Sequence, residues 1–509
     1  MLLYVQKNCM NSDFEPPPVK WAFLVTCGGV ATAIAIIFGM EQLSSSLKPS
    51  PSAPAIATLT PKLSPIAEST QKPAIAVKPL SKPLSNQEIQ AIAKLDNESV
   101  KLAGQTVPLE QQSISNPPYI APQVGQLTPE ELAAAKQAWR YFEKNWNEDT
   151  GLVNSADGFP AVTLWDQAAA IAALVSAKEL GLVTEADFEK KMRKSLQTLA
   201  KLQLYKGELP NKVYNSKTLI PVNYGKLDNR EEIGWSAIDI GRMAIWLKIV
   251  AIKYPNLSED ANNVWKSWKV ERLTKDGQMY GTSVNKGKES YNQEGRLGYE
   301  NYAAYGLKLW GLDVAKALDV KFQVAFVDLY GQGVPYDKRD FQTSEANNYV
   351  LSEPFILDGI ETGFQSLPKA YSDRVLTAQE ERYKATKQLT AVTEDNLDRA
   401  PYFVYSTLFV NGNAWATITD TRETRNDLRF LSAKAAIGWY VLYNNDYTQK
   451  LFGFVTNNLK ADLGWYNGFY ETLGEPNKSL TANNNGVILE SLLYKKVGQP
   501  LTIWAGISP

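Results

Sequence analysis

The chain contains no histidine in 509 residues and only two cysteines, Cys9 and Cys27. Without histidine, a Ser-His-Asp or Cys-His nucleophile system is excluded, and so is a His-ligated zinc or iron site. Both cysteines precede any segment expected to fold, which removes thiol catalysis and internal disulfides. There is no P-loop, no G-x-G-x-x-G fingerprint and no EF-hand loop. With a net charge of −1 and no Lys/Arg-rich stripe, nucleic acid is not an expected partner. Chemistry is left to Asp, Glu, Tyr, Lys, Arg, Ser and Thr, with no cofactor or metal called for, and carboxylates suit such a chain best. The 25 Tyr and 13 Trp offer faces on which sugar rings could stack, though aromatics are also ordinary core filler.

One long apolar run is present. Trp21 to Met40, "WAFLVTCGGVATAIAIIFGM", carries no charge. At ~1.5 Å per residue it spans ~30 Å, the thickness of a bilayer's hydrocarbon core. Met40-Glu41-Gln42 follows instead of a small-residue cleavage site, so an uncleaved anchor is expected. Thr26 before Cys27 is a poor fit to a lipoprotein box, and the apolar run continues past it. Lys7 and Lys20 precede the span and only Lys48 follows closely. That bias places residues 1–20 in the cytoplasm and the bulk of the chain outside, in the periplasm. Residues 41–126 are rich in Pro, Ser, Ala and Lys and read as a disordered linker.

From residue 127 to 509 the pattern is helical. Thr128, Pro129 and Glu131 form a cap, a first-position proline and a capping box. About twelve helical segments follow, including a short one around Val314 to Asp319. Segments that are apolar nearly all round alternate with amphipathic ones that carry a charged face. Six buried helices alternating with six solvent-facing ones indicate a mainly α domain, an (α/α)₆ toroid with an inner ring inside an outer one. A β-hairpin insertion is expected where "YFVYSTLFV" and "NAWATITD" meet at Asn411-Gly412, and "KFQVAFVDL" suggests another strand. Connections from outer to inner helices are long and aromatic, whereas the return connections are short. Long loops therefore gather over the N-termini of the inner helices, where a cleft would form.

Four blocks, "LWDQAAAIAAL", "REEIGWSAIDIGRMAIWLK", "QEGRLGYENYAAYGLKLWG" and "TLFVNGNAWATITD", resemble an uncharacterised bacterial family described as glucoamylase-like. The resemblance spans about Thr128 to Tyr494. Relatives of that family include β-glucan-acting enzymes of (α/α)₆ fold, so it implies a carbohydrate-active toroid.

A glycosidase needs two carboxyl groups flanking the scissile bond, one protonated and one ionised. Glu300 opens an apolar helix beside Tyr299, Tyr302 and Tyr305, a setting that raises a carboxyl pKa. Glu294 and Arg296 lie on the loop before it. Asp166 follows Trp165 in the first turn of another inner helix, and Glu232 precedes the helix that starts near Trp235. Glu300, Glu294, Asp166 and Glu232 are the candidate catalytic acids. Asp239 is read as structural, paired with Arg242 three residues on; Asp358, Glu361 and Glu471 are held in reserve. Trp165, Trp235, Arg296, Tyr299, Trp415 and Trp465 are the candidate substrate-binding residues. The leading expectation is a membrane-tethered glycoside hydrolase acting on a glucan or related polysaccharide. The alternatives are a toroid that binds glycan or cell-wall polymer without cleaving it, and a polysaccharide lyase with Tyr as base.

Overall fold

The computed structural model describes residues 82–101, 125–443 and 445–507. The apolar run Trp21–Met40 lies outside them, and among the described residues no helix is long and apolar enough to cross a membrane. Helix α1 is Asn86–Glu98. The toroid then begins with α2 (Pro129–Asn145), whose N-terminus carries the Thr128/Glu131 capping box and Pro129 that the sequence advertises. It continues through α3 (Leu164–Glu179), α4 (Glu185–Leu199), α5 (Ala237–Lys253), α6 (Pro255–Lys266) and α7 (Tyr299–Lys308). Next come α8 (Glu353–Leu357), which runs on into a π turn at Asp358–Thr362, and α9 (Lys369–Thr386). The last three are α10 (Ala433–Tyr443), α11 (Asp446–Asn458) and α12 (Ala482–Val497).

The apolar helices α3, α5, α7, α8, α10 and α12 form the inner ring, which closes where α12 packs against α3. Helices α2, α4, α6, α9 and α11 lie outside it. Small residues let the inner helices meet backbone to backbone. A Cβ on Gly306 of α7 would stand 2.0 Å from the Gly241 carbonyl oxygen of α5, and one on Gly241 would stand 2.5 Å from that of Ala303. Any larger side chain at either position would force the two helices apart. The 3-10 turn Leu501–Ala505 covers the ring's far end, with the Thr502 hydroxyl donating to the Glu361 carbonyl at 2.7 Å.

Two expectations need correction. Val314–Asp319 is a hydrogen-bonded turn, closed by Leu318 N–H to the Val314 carbonyl at 3.0 Å, and not a helix. Gly311, with positive φ, bounds the segment on one side and the 3-10 turn Val320–Phe322 on the other, which leaves too short a run to repay helix nucleation in isolation. The hairpin Val324–Leu329 with Gln332–Asp337 follows it and packs against α9. Its first strand is the one expected in "KFQVAFVDL".

The second correction falls within the stretch read as linker. Residues 82–101 are folded onto the toroid. Ser85 and Glu88 make a capping box for α1, and Val100–Lys101 adds a third strand to the 324–337 hairpin. The Leu84 N–H donates to the Thr472 carbonyl at 2.9 Å. The Asn411-Gly412 hairpin forms as expected, both residues having positive φ between the short strands Phe409–Val410 and Asn413–Ala414.

Candidate active site

The inner helices all point their N-termini toward the long loops, and each brings a buried polar side chain within its first three residues. These are Asp166 on α3, Asp239 on α5, Glu300 on α7, Glu353 on α8, Lys434 on α10 and Asn483 on α12. A carboxylate in the first turn is favoured by the unsatisfied amides and dipole of its own helix. Four acids arranged this way surround one end of the ring axis.

Near the axis two buried cations, Lys434 and Arg242, are set among a larger number of buried acids. Lys434 Nζ lies 2.5 Å from Glu353 and 3.5 Å from Asp395. Asn483 donates to Glu353 at 2.9 Å and accepts from Arg242 at 2.6 Å and from the Trp165 indole at 3.1 Å. Arg242 also pairs with Glu490 at 2.9 Å and stacks over the Trp165 ring. The Tyr299 hydroxyl donates to Glu394. Burial pushes Asp395 up to about 7, and raises Glu394 further with Glu353 adding to the effect. The expected Asp239–Arg242 pair is absent, because Arg242 turns toward Glu490, Glu353 and Asn483.

Beside this cluster an open cleft of about 270 Å³ lies over α5 and α7. One wall is the hairpin Gln278–Asn285 with Lys288–Gln293, and the other is Ser344 to Ala346. Its two carboxyl groups are Glu294, buried at the base, and Glu345, exposed on the opposite wall. Glu294 accepts hydrogen bonds from Ala237 N–H at 2.6 Å and from the Ser236 hydroxyl at 2.8 Å. Ser236 Oγ is also 3.0 Å from Asp239 Oδ1, while it accepts the Asp239 N–H as the N-cap of α5. A hydroxyl has one proton to give, so Ser236 can satisfy only one of these carboxylates. The other must itself carry a proton to bond the serine oxygen. Burial, with the Glu294 charge beside it, pushes Asp239 up to about 7. Burial raises Glu294 too, opposed by Lys212 and the donors around it. Both acids that meet Ser236 are thus shifted toward their protonated forms.

The other candidates take different roles. Glu300 is at the mouth, as expected, but its carboxylate is bound by Arg339 at 2.6 Å and by the Gln293 amide at 3.0 Å. It braces the cleft wall from behind, and burial pushes it up to about 7. Arg296 lines the cleft, yet its guanidinium is occupied by protein acceptors. It bonds the Arg339 carbonyl at 3.1 Å, Gln293 Oε1 at 2.9 Å and Ser344 Oγ at 2.6 Å, stapling the 339–344 loop in place. Asp166 is fully buried and caps α3 with Thr163. Glu232 is a partly exposed loop residue paired with Arg230 at 2.6 Å, away from the cleft lining.

None of the four tryptophans offers an open face. Trp165 and Trp415 are fully buried, Trp235 donates to the Tyr280 carbonyl and Trp465 to that of Ala134. Tyr299 is buried against Trp165 and Glu394. Their size makes them core anchors, which outweighs the stacking role expected of them. Sequence reasoning missed Glu345, Lys212, Glu353, Glu394, Asp395 and Lys434. The signal available for Glu353 and Lys434 was a charged residue opening an otherwise apolar helix, the same signal that singled out Glu300.

These buried acids set a pH dependence of stability. Asp239, Glu300 and Asp395 at about 7 and Asp358 at about 6 keep protons that the unfolded chain releases near its ordinary carboxyl values of 3.8 to 4.5. Where the native state binds more protons, raising the pH destabilises it. The thermal midpoint should therefore fall between about pH 5 and pH 8, as differential scanning calorimetry in matched buffers would show.

The inner ring of six helices inside an outer layer, with an acid-lined mouth under long loops, defines an (α/α) toroid. The chain belongs to the DUF3131 family, described as a protein of unknown function, with residues 133–498 matched. No curated protein matches it by sequence. Among solved structures, an endo-β-1,2-glucanase from Chitinophaga pinensis, in complex with sophorotriose and glucose, is similar with a TM-score of 0.53 at 13% identity, covering 75% of this chain and 96% of that one. A candidate glucoamylase from Bacteroides caccae gives 0.52 at 14% identity, covering 74% and 97%. An endo-β-1,2-glucanase from Talaromyces funiculosus in complex with sophorose gives 0.52 at 10% identity, covering 72% and 84%.

Proposed function

We propose that the protein is a glycoside hydrolase that cleaves a glucan or related polysaccharide in the cleft between the 278–293 hairpin and the 344–346 wall. The observation that carries this reading is the pair of acids lining one open cleft in different surroundings. Glu294 is buried and linked to Asp239 through Ser236, whereas Glu345 is exposed. In this scheme Glu294 protonates the leaving oxygen, Asp239 resupplies the proton through Ser236, and Glu345 acts from the opposite wall as base or nucleophile. The glucan-acting proteins of the same fold support glucan as the substrate class. We further propose that Trp21–Met40 anchors the chain in the cell membrane and that the toroid works outside it, in the periplasm.

A second reading has an observation of its own. Glu300 and Glu353 are both committed to ion pairs, as they would be in a toroid that binds glycan without cleaving it. The two are separated by incubating the purified chain with linear β-1,2-glucan and other neutral glucans and following reducing-end release. Hydrolysis predicts release that disappears in Glu345→Gln. Binding without release would establish the second reading, and no interaction with any glucan would overturn both.

A further inference from the structure

The 278–293 hairpin has two chemically different faces. In its register Gly281 pairs with Asn292, Ser283 with Ser290 and Asn285 with Lys288. Directly paired residues share a face, so Gly281, Ser283, Asn285, Lys288, Ser290 and Asn292 lie together. Every one of them is polar or glycine. The opposite face holds Tyr280 and Tyr291, whose rings are 4.9 Å apart, and is consumed by packing on Trp235 and Arg272.

A half-solvated strand pair ordinarily shows this alternation. What distinguishes this face is its position, because Gly281, Ser283 and Asn292 line the cleft that holds Glu294. Gly281 is required there, since a Cβ would stand 2.2 Å from Glu294 Oε2. The face thus begins in contact with the acid and runs outward along the hairpin. Lys212 Nζ, from the cleft base, donates to Ser283 Oγ at 2.9 Å and fixes that hydroxyl at the junction. From Gly281 to Asn285 the strand covers about 14 Å, longer than one sugar ring.

We propose that this polar face is a binding ledge for the chain of a neutral, hydroxyl-rich polysaccharide, carrying it away from Glu294 toward the hairpin tip. Hydroxyl and amide side chains both donate and accept, which matches sugar hydroxyls and requires no charge on the ligand. The ledge makes recognition depend on chain length. It rests on the reading of the cleft as a glycan site.

The test uses the full chain made inactive by Glu345→Gln, with Glu294→Gln as a second inactive parent. Binding of linear β-1,2-glucan oligosaccharides of increasing length is measured by calorimetry, with and without the added pair Ser283→Ala and Asn292→Ala. Thermal midpoints confirm that the variants fold. The expected result is affinity that rises with length in the parents and a loss of roughly tenfold or more for long chains in the ledge variant, with little change for the shortest. Long-chain binding as tight in the ledge variant as in its parent overturns the ledge and leaves the cleft reading standing. Failure of both parents to bind any neutral glucan overturns the two together.

Discussion

Replacing Arg382 with Met should destabilise the folded chain by about 3–5 kcal/mol, the cost typical of removing one partner from a buried ion pair. Arg382 is fully buried and holds two carboxylates at once. It contacts both oxygens of Asp96, at 2.9 and 3.0 Å, and both oxygens of Glu471, at 2.8 and 2.9 Å. Asp96 belongs to α1 and Glu471 to the loop before α12, so this one guanidinium joins the N-terminal segment to the toroid. Arg429 adds weaker contacts to the same two acids at 3.4 and 3.3 Å. The strength of the set shows in Glu471, which Arg382 and Arg429 hold at about 2 against an ordinary 4.5 in spite of its burial. That difference corresponds to ~3 kcal/mol of preference for the charged form. Its folded value is depressed, so this stabilisation is present above about pH 4.5 and is lost as the pH falls toward 2. Urea unfolding of Arg382→Met beside Lys94→Ala, whose Glu98 pair is exposed, measures the difference. Equal losses in the two variants would mean that the buried Arg382 cluster contributes no more than an exposed ion pair. The quadruple replacement Asp96→Leu, Arg382→Met, Arg429→Met, Glu471→Leu should recover much of the loss, because no unpaired charge of the cluster would then remain buried.

How much of this was legible in the sequence follows from which physical signals are local. The inner helices were legible because burial on all sides leaves a chain apolar all round, and α3 and α5 show it plainly. The mouth was legible from loop length. Helix α1 was not, since Ser85 and Glu88 form a capping box inside a stretch whose prolines and lysines otherwise read as linker. Its docking depends on Asp96 meeting Arg382, a contact across 286 residues that no local pattern records. The site divided the same way. Glu300 and Glu294 stood out together as acids near aromatics, and both do sit at the mouth. Only the fold could show that Arg339 claims the first while the second faces the cleft. Asp239 was read as a partner of Arg242 from spacing alone. The two share a helix without meeting, because Arg242 turns toward Glu490 and Asp239 toward Ser236. Glu345 carried no signal, standing among polar neighbours in a loop whose course is set by the Arg296 staple.

The set of Asp239, Ser236 and Glu294 yields the sharpest functional expectation. If Glu294 is the acid, Glu294→Gln should lower kcat by about 100-fold to 10,000-fold at every pH, the range associated with a positioned proton donor. Asp239→Asn should behave differently. Asparagine retains the size of the side chain and can donate its amide hydrogen to Ser236 Oγ, so α5 remains capped. What disappears is the partner of the repulsion by which Glu294 raises Asp239, a coupling that by reciprocity also favours a proton on Glu294. Without it the Glu294 carboxyl gives up its proton at a lower pH. In the native protein the alkaline limb of kcat against pH should lie near 7, the value to which Asp239 is raised. In Asp239→Asn that limb should move toward acid, with activity largely retained below it and lost at neutrality. Measuring kcat between about pH 4.5 and 8.5 on the best glucan substrate separates the possibilities. A limb that stays in place would reduce Asp239 to a capping residue. Uniform loss at all pH values would place Asp239, rather than Glu294, at the reacting atoms.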